Sequence, residues 1–169
     1  MCVMRLALEN HAAGLAAESR TEAELREIRI AVESMRQLTA KVEASGEEKS
    51  LLNDLVREDV RFHIAILTAA KNSLIKKEIL RLHLISRIVS AHGGRSFVDR
   101  DESVVNRREV QAEHEAIYEA IARSDVTAAV NAMSRHIQTI INKQTLLHER
   151  ELGAVSVRKL TEEELSYTP

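Results

Sequence analysis

Residues 55–72 read LVREDVRFHIAILTAAKN, and this stretch decides the fold. Positions three or four apart share one face of an α-helix, so the stretch can be followed in such steps. Continued one turn before residue 55, the stripe contains Leu52, Val56, Asp59, His63, Ile66 and Ala70. Because four of its members are apolar, the stripe predicts a helix that turns this face toward a core. A buried carboxylate and a buried imidazole both need polar partners. The two polar members therefore indicate a site inside the protein.

The rest of the chain predicts an all-α protein. Its 169 residues are 44% hydrophobic and only 2% aromatic, with 5 glycines and 1 proline, and a sheet protein would need more turn, aromatic and β-branched residues. Breaks in the pattern give six helices, at about 3–18, 22–44, 49–71, 73–91, 102–123 and 126–150. Thr21 with Glu24 forms a capping box at the start of the second. We expect residues 1–150 to form an antiparallel bundle of about six helices, and residues 151–169 a short C-terminal tail.

Charge and composition exclude several classes of function. A net charge of −2 does not provide the basic surface that binding to nucleic acid needs. Cys2 is the single cysteine, which excludes an internal disulfide framework and fits a reducing cytoplasm. No apolar run reaches the roughly 18 residues of a membrane span. Arg5 and Glu9 interrupt any apolar segment of a signal peptide. We expect a cytoplasmic protein with no membrane partner.

Two later helices repeat the pattern of a polar residue on an apolar stripe. The stripes are Val110, His114, Ile117 and Ile121 on the fifth helix, and Ala129, Met133, His136 and Ile140 on the sixth. Asp59 and His63 are four residues apart, so one ion can bind both. Three imidazoles and one carboxylate suit zinc, nickel or another first-row transition metal better than calcium or magnesium. The pattern thus predicts one divalent metal held by Asp59, His63, His114 and His136.

A simpler interpretation is open for each of these residues. A single histidine in a core is usually only hydrogen-bonded, and Asp59 could pair with Arg57, with Arg61 or with a neighbouring helix. Glu113 is next to His114 but is expected to point about 100° away around the helix, so it should not share the metal. The coincidence of four such residues on three stripes favours the metal site.

Three segments together resemble a known family. Residues 59–72, DVRFHIAILTAAKN, residues 113–137, EHEAIYEAIARSDVTAAVNAMSRHI, and residues 4–25, MRLALENHAAGLAAESRTEAEL, are similar to the FCD domain. This is the C-terminal effector-binding domain of the FadR branch of GntR-type transcription regulators, and the resemblance covers about residues 4–148. Its metal-binding members use an aspartate and a histidine four apart and one histidine on each of the last two helices. The resemblance therefore implies the same four ligands.

The resemblance also implies a function. The expected protein is a ligand-sensing homodimer that binds a small carboxylate, such as a sugar acid or another organic acid, beside the metal. It would control DNA binding only through a winged-helix domain, which we do not expect in this chain. Arg5 lies on a mostly apolar stripe and Arg87 at a position where the family often has arginine, so both are predicted to bind the ligand. The simpler alternative for Arg5 is a pair with Glu9, four residues on.

Two other functions remain open at this stage, although we expect no enzyme. Three histidines and an acid with open coordination positions could activate water in a metal-dependent hydrolase. The inward stripes, however, offer no obvious general base near the four ligands. The metal could also be purely structural, stabilising the bundle without any ligand.

Overall fold

Six α-helices make up the described part of the protein. A computed structural model describes the backbone of residues 2–45, 48–92 and 100–154, and the side chains of residues 4–45, 48, 50–82 and 107–142. The helices are α1 Cys2–Ser19, α2 Glu22–Ser45, α3 Lys49–Ala69, α4 Ser73–His92, α5 Arg100–Ala122 and α6 Val126–Ala154. They confirm the predicted all-α fold. Helix α6 continues past the expected end near residue 150, and the remainder of the expected tail lies outside the described residues.

Local signals position the starts of two helices. The backbone N–H of Thr21 donates to Glu24 Oε2 at 2.7 Å, and the N–H of Glu24 donates to Thr21 Oγ1 at 3.2 Å, which confirms the capping box. At the start of α4, the N–H of Ile75 donates to Asn72 Oδ1 at 3.1 Å. Asn72 thus separates α3 from α4 by satisfying an N–H group that the first turn of α4 leaves without an intrahelical acceptor.

A long-range contact caps the C-terminal end of α5. The guanidinium of Arg20, in the turn between α1 and α2, donates to the carbonyl of Ala122 at 2.8 Å and to that of Ile121 at 3.4 Å. The last carbonyls of a helix have no intrahelical donor and carry partial negative charge, so a cation there is stabilising. Ser124 then leaves the helix with a positive φ of 55°. One arginine therefore joins the start of the bundle to the end of its fifth helix.

The helices enclose two adjoining cores. The larger core takes buried side chains from α1, α2, α3, α5 and α6, and the smaller one joins α4 to α1 and α3. Helix α1 contributes small residues to both: Ala12, Ala13, Ala16 and Ala17. Helices α2 and α5 run antiparallel, as shown by the paired contacts of Arg36 with Glu115 and of Glu43 with Arg108. No helix in the described ranges is both apolar enough and long enough to cross a membrane.

The apolar stripe of α3 is buried over only part of its length. Ile66 and His63 are buried, as the periodicity predicted, but Val56 is 50% exposed. The prediction of a buried Val56 was therefore wrong. Periodicity shows which residues share a face, whereas the packing of neighbouring helices decides where along that face burial ends.

Gly14 allows α1 and α6 to approach closely. A Cβ atom built on Gly14 would lie 3.0 Å from Cγ2 of Val130 and 3.5 Å from Cγ1 of Val126. Glycine inside a helix costs about 0.5–1 kcal/mol relative to alanine, so here it is explained by the close contact. We expect Gly14→Val to lower the free energy of unfolding by about 1–3 kcal/mol, because the added methyl groups overpack the contact. Urea denaturation would measure this loss.

Shortening the opposing side chain provides the control. Gly14→Val combined with Val130→Ala should recover part of the lost stability, because the alanine leaves room for the new methyl groups. If the double variant is less stable than Gly14→Val by the full cost of Val130→Ala alone, the close contact is not the cause.

Candidate metal centre

The four side chains predicted as metal ligands meet at one place in the bundle. One nitrogen or oxygen atom from each of Asp59, His63, His114 and His136 lies within 4.8 Å of the others. The three imidazoles are fully buried, whereas the side chain of Asp59 is 38% exposed. Helix α3 supplies two of the residues, and α5 and α6 supply one each. The structure thus brings together all four residues that the helical stripes selected.

Of the simpler pairings of Asp59, those with Arg57 and Arg61 are absent from the described contacts, whereas the one with a neighbouring helix is present. Arg57 lies 3.0 Å from Asp54, and Arg61 lies 3.2 Å from Glu27, so both arginines pair with other carboxylates. Asp59 Oδ1 instead lies 3.3 Å from His114 Nε2. Burial would raise the pKa of Asp59, but the three neighbouring imidazoles hold it well below its ordinary value. Asp59 is therefore an anion whose ion-pair contacts within the described residues are with the imidazoles of His63 and His114.

Carboxylates hold the outer nitrogens of two imidazoles. Glu9 Oε2 lies 2.6 Å from His63 Nδ1, and Glu113 Oε2 lies 2.9 Å from His136 Nδ1. An ionised carboxylate only accepts hydrogen bonds, so each Nδ1 carries a proton and donates it. In the neutral form of each ring, the lone pair is then on Nε2, the nitrogen that faces the centre of the cluster.

The two inner nitrogens face each other closely. His63 Nε2 and His136 Nε2 are 3.3 Å apart, and two lone pairs at this distance repel unless a proton or a cation lies between them. Burial disfavours the charged form of His63, but Glu9 and Asp59 outweigh it and raise its pKa. Burial lowers the pKa of His136 to about 4. A proton on His63 that donates to neutral His136, or a metal ion bound to both, would each satisfy this arrangement.

His114 is the strongest indication that these residues fit a metal. It is fully buried, yet its Nδ1 makes no hydrogen bond to any residue that the structure describes, and its Nε2 has only the 3.3 Å contact with Asp59 Oδ1. Buried polar groups almost always have a partner. Two atoms bound to one zinc ion at about 2.0–2.1 Å in a tetrahedral site lie about 3.4 Å apart. The separation of 3.3 Å between His114 Nε2 and Asp59 Oδ1 matches this spacing.

The two arginines predicted to bind the ligand have different outcomes. Arg5 donates from Nε to Glu9 Oε1 at 2.7 Å, and both side chains are buried. This is the pairing that the spacing of four residues offered as the alternative, and a contact of Arg5 with a ligand stays a prediction. Arg87 belongs to α4, but its side chain lies outside the described residues.

The sequence did not reveal the two carboxylates around the cluster. Glu113 was expected to point away from His114, and it does not belong to the group of four. It nevertheless hydrogen-bonds His136, and it accepts a hydrogen bond of 2.6 Å from Thr139. Acids therefore lie beside the ligands, although the sequence offered no obvious general base on the inward stripes. The one available signal was the position of Glu9, four residues after an arginine on a mostly apolar stripe.

The buried carboxylate of Glu9 makes a testable contribution to acid stability. Burial would raise the pKa of Glu9, but His63 and Arg5 lower it from 4.5 to about 2. A carboxyl whose pKa is lower in the folded state stabilises that state above the unfolded value. This contribution is lost as the pH falls from about 4.5 to about 2. Metal-free Glu9→Gln should therefore lose less free energy of unfolding over this range than the wild type. Urea denaturation at a series of pH values measures both curves, and parallel curves would contradict the prediction.

Comparison with known proteins agrees with the fold. The model of the FCD domain family matches residues 1–139. The HTH-type transcriptional regulator LutR of Bacillus subtilis (strain 168) is 32% identical over 139 residues, which are 81% of this chain and 57% of LutR. The chain thus spans little more than half the length of this curated relative. The solved structure of McbR/YncC from E. coli is similar in fold, with a TM-score of 0.64 at 17% identity over 88% of this chain and 66% of McbR. The chain belongs to the FCD domain family, as the sequence resemblance predicted.

Proposed function

We propose that this chain is the effector-binding domain of a GntR-type transcription regulator, and that it binds a divalent transition metal. Membership of the FCD family and the likeness to a transcriptional regulator support the regulatory part. One observation carries the metal part: four ligand atoms from three helices converge within 4.8 Å in the interior. The proposed metal ligands are Asp59, His63, His114 and His136.

The donor set favours zinc or nickel. Imidazole nitrogen suits both metals, and the single carboxylate adds the one anionic ligand. A metal bound with six-fold coordination would act as a Lewis acid and keep two positions open for oxygen atoms of a ligand. Asp59 is the exposed member of the four, so an effector would approach on its side. The proposed effector is a small carboxylate, such as a sugar acid or another organic acid.

Arginine side chains would complete the effector site in this proposal. A guanidinium binds a carboxylate through two parallel hydrogen bonds. Arg5 donates to Glu9 through Nε, so its terminal nitrogens would make the contact. Arg87 is the second proposed contact, on the resemblance alone.

Regulation would follow from the equilibrium between two states of the domain. An effector that binds one state better shifts the population toward that state, and a site coupled to it responds by the same free energy. We propose that residues 1–150 form this domain in a cytoplasmic homodimer. The domain would control the binding of DNA by a winged-helix domain. The chain itself would not be an enzyme.

Two rival functions make different predictions. A metal-dependent hydrolase needs a general base, and Glu9 and Glu113 are both engaged by imidazoles, at 2.6 Å from His63 and 2.9 Å from His136. Turnover of phosphoesters or esters that disappears in His114→Ala would favour the enzyme. A structural metal predicts a large loss of stability on chelation and no response to any organic acid.

Metal analysis followed by a ligand screen tests the proposal. Protein purified without chelator and without a histidine tag should contain about one first-row metal ion per chain. A library of carboxylic acids is then screened by thermal shift on metal-loaded and chelator-treated protein. We expect a rise in Tm with at least one acid, in the loaded protein only, and no such rise in Asp59→Ala. Protein that takes up neither zinc nor nickel would contradict the metal site.

A further inference from the structure

Two imidazoles in the cluster each have a carboxylate from a different helix within hydrogen-bonding distance of Nδ1. Glu9 of α1 lies 2.6 Å from His63 of α3, and Glu113 of α5 lies 2.9 Å from His136 of α6. Because the partners come from different helices, these contacts depend on the packing of the bundle. The site therefore extends beyond the four predicted ligands and also includes α1.

The two carboxylates are themselves held in position. The second oxygen of Glu9 accepts from Arg5 Nε at 2.7 Å, and the second oxygen of Glu113 accepts from Thr139 Oγ1 at 2.6 Å. Each carboxylate thus has one oxygen on an imidazole and the other on a separate donor. Glu9 is 1% exposed and the side chain of Glu113 is 16% exposed, so water competes little for these bonds.

Hydrogen bonds of this kind affect how an imidazole binds a metal. A donor bond from Nδ1 fixes the tautomer, orients the ring and increases the basicity of Nε2. His63 and His136 have this support. The Nδ1 of His114 makes no hydrogen bond within the described part of the chain, and its ring packs against that of Phe62 with a centroid distance of 4.7 Å.

We propose that Glu9 and Glu113 are positioning residues that set the metal affinity of the site by presenting Nε2 of His63 and of His136 to the ion. Arg5 and Thr139 orient the two carboxylates. This inference rests on the proposed metal function. It adds two residues that were not among the predicted site residues, and it assigns the buried pair of Arg5 and Glu9 to the metal site.

The dissociation constant of zinc, measured by competition with a chromophoric chelator, tests the role of Glu113. Glu113→Leu removes both the acceptor and the charge, and should weaken zinc binding about 10–100-fold. Glu113→Gln keeps an acceptor oxygen but loses the charge, so its effect should be smaller. Thr139→Val should weaken binding less than Glu113→Leu, because it only frees the carboxylate to rotate. Glu9→Gln tests the other carboxylate in the same way.

A neighbouring carboxylate provides the matched control. Glu115 is on the same helix as Glu113, but its side chain accepts hydrogen bonds from Arg36 and Gln111 instead of from an imidazole. Glu115→Gln removes the same charge from α5 and should leave zinc affinity unchanged. An equal loss in Glu115→Gln and Glu113→Gln would overturn the inference, because the effect would then depend on net charge alone.

A spectroscopic measurement separates positioning from general stability. In metal-free protein that also carries His63→Phe, so that no proton of His63 can fix the ring, nitrogen-15 NMR should show the proton of His136 on Nδ1. This preference should be lost in Glu113→Leu and retained in Thr139→Val. A purely structural role of Glu113 would change the free energy of unfolding without changing the tautomer. An unchanged tautomer would therefore overturn the inference.

The outcomes for the inference and for the proposed function can be told apart. If the wild type binds zinc, Asp59→Ala does not, and the Glu9 and Glu113 variants bind as tightly as the wild type, only the inference fails. If the wild type itself binds no zinc or nickel, the proposed function fails and the inference falls with it. If Glu113→Leu does not fold, Glu113→Gln and Thr139→Val decide the result.

Discussion

His136→Ala should weaken the binding of zinc or nickel about 100-fold. The substitution removes a fully buried donor whose Nε2 lies 3.3 Å from that of His63. Zinc binding at sites with four protein ligands is worth about 10–16 kcal/mol, so one ligand in four accounts for about 3 kcal/mol, or roughly a 100-fold rise in Kd. Elemental analysis after dialysis, together with chelator competition, would measure the change.

Another histidine of the same chain controls for nonspecific binding. His11 is exposed on α1, and His11→Ala should keep the full metal content. Metal content that is unchanged in His136→Ala, or lowered equally in both variants, would contradict the assignment of His136 as a ligand.

Glu9→Leu should lower the free energy of unfolding of the metal-free protein more than any other single substitution proposed here. The carboxylate of Glu9 is 2.7 Å from Arg5 and 2.6 Å from His63, and all three side chains are buried. Removing one partner of a buried ion pair leaves a charge that is no longer compensated, at a cost of about 3–5 kcal/mol. The free energy of unfolding in urea at neutral pH, after treatment with chelator, is the quantity to measure.

A double variant tests this explanation. Arg5→Met combined with Glu9→Leu removes both charges and replaces them with apolar side chains of similar volume, which is often close to neutral for buried pairs. The double variant should therefore be more stable than Glu9→Leu alone. If the two losses simply add, the pair is not coupled, and the cost of Glu9→Leu has another origin.

The four proposed ligands could be predicted from the sequence because each lies on a stripe that is otherwise mostly apolar. The periodicity of each helix, taken by itself, shows which polar residues lie on its apolar face, so no knowledge of helix packing is needed. The extent of burial does require such knowledge. Val56 shares the stripe of His63 and is nevertheless half exposed.

The supporting carboxylates could not be predicted in the same way, because their partners are on other helices. Glu113 points away from the neighbouring His114 along its own helix, but its hydrogen-bond partner His136 is on α6. Glu9 was considered only as a partner of Arg5, and its contact with α3 is a property of the packed bundle. Likewise, the capping box of Thr21 is a local signal, whereas the contact of Arg20 with the end of α5 spans about a hundred residues.

The gradient of exposure along α3 has a kinetic consequence. Val56 is 50% exposed, the Asp59 side chain 38% and His63 only 1%, so within the described residues the cluster opens toward solvent on one side. If the metal and the proposed effector both entered on the side of Asp59, they would use the same opening. The order of binding would then be fixed, with the metal first and the effector second. A bound effector would also slow the escape of the metal, so the two dissociation rates would be linked.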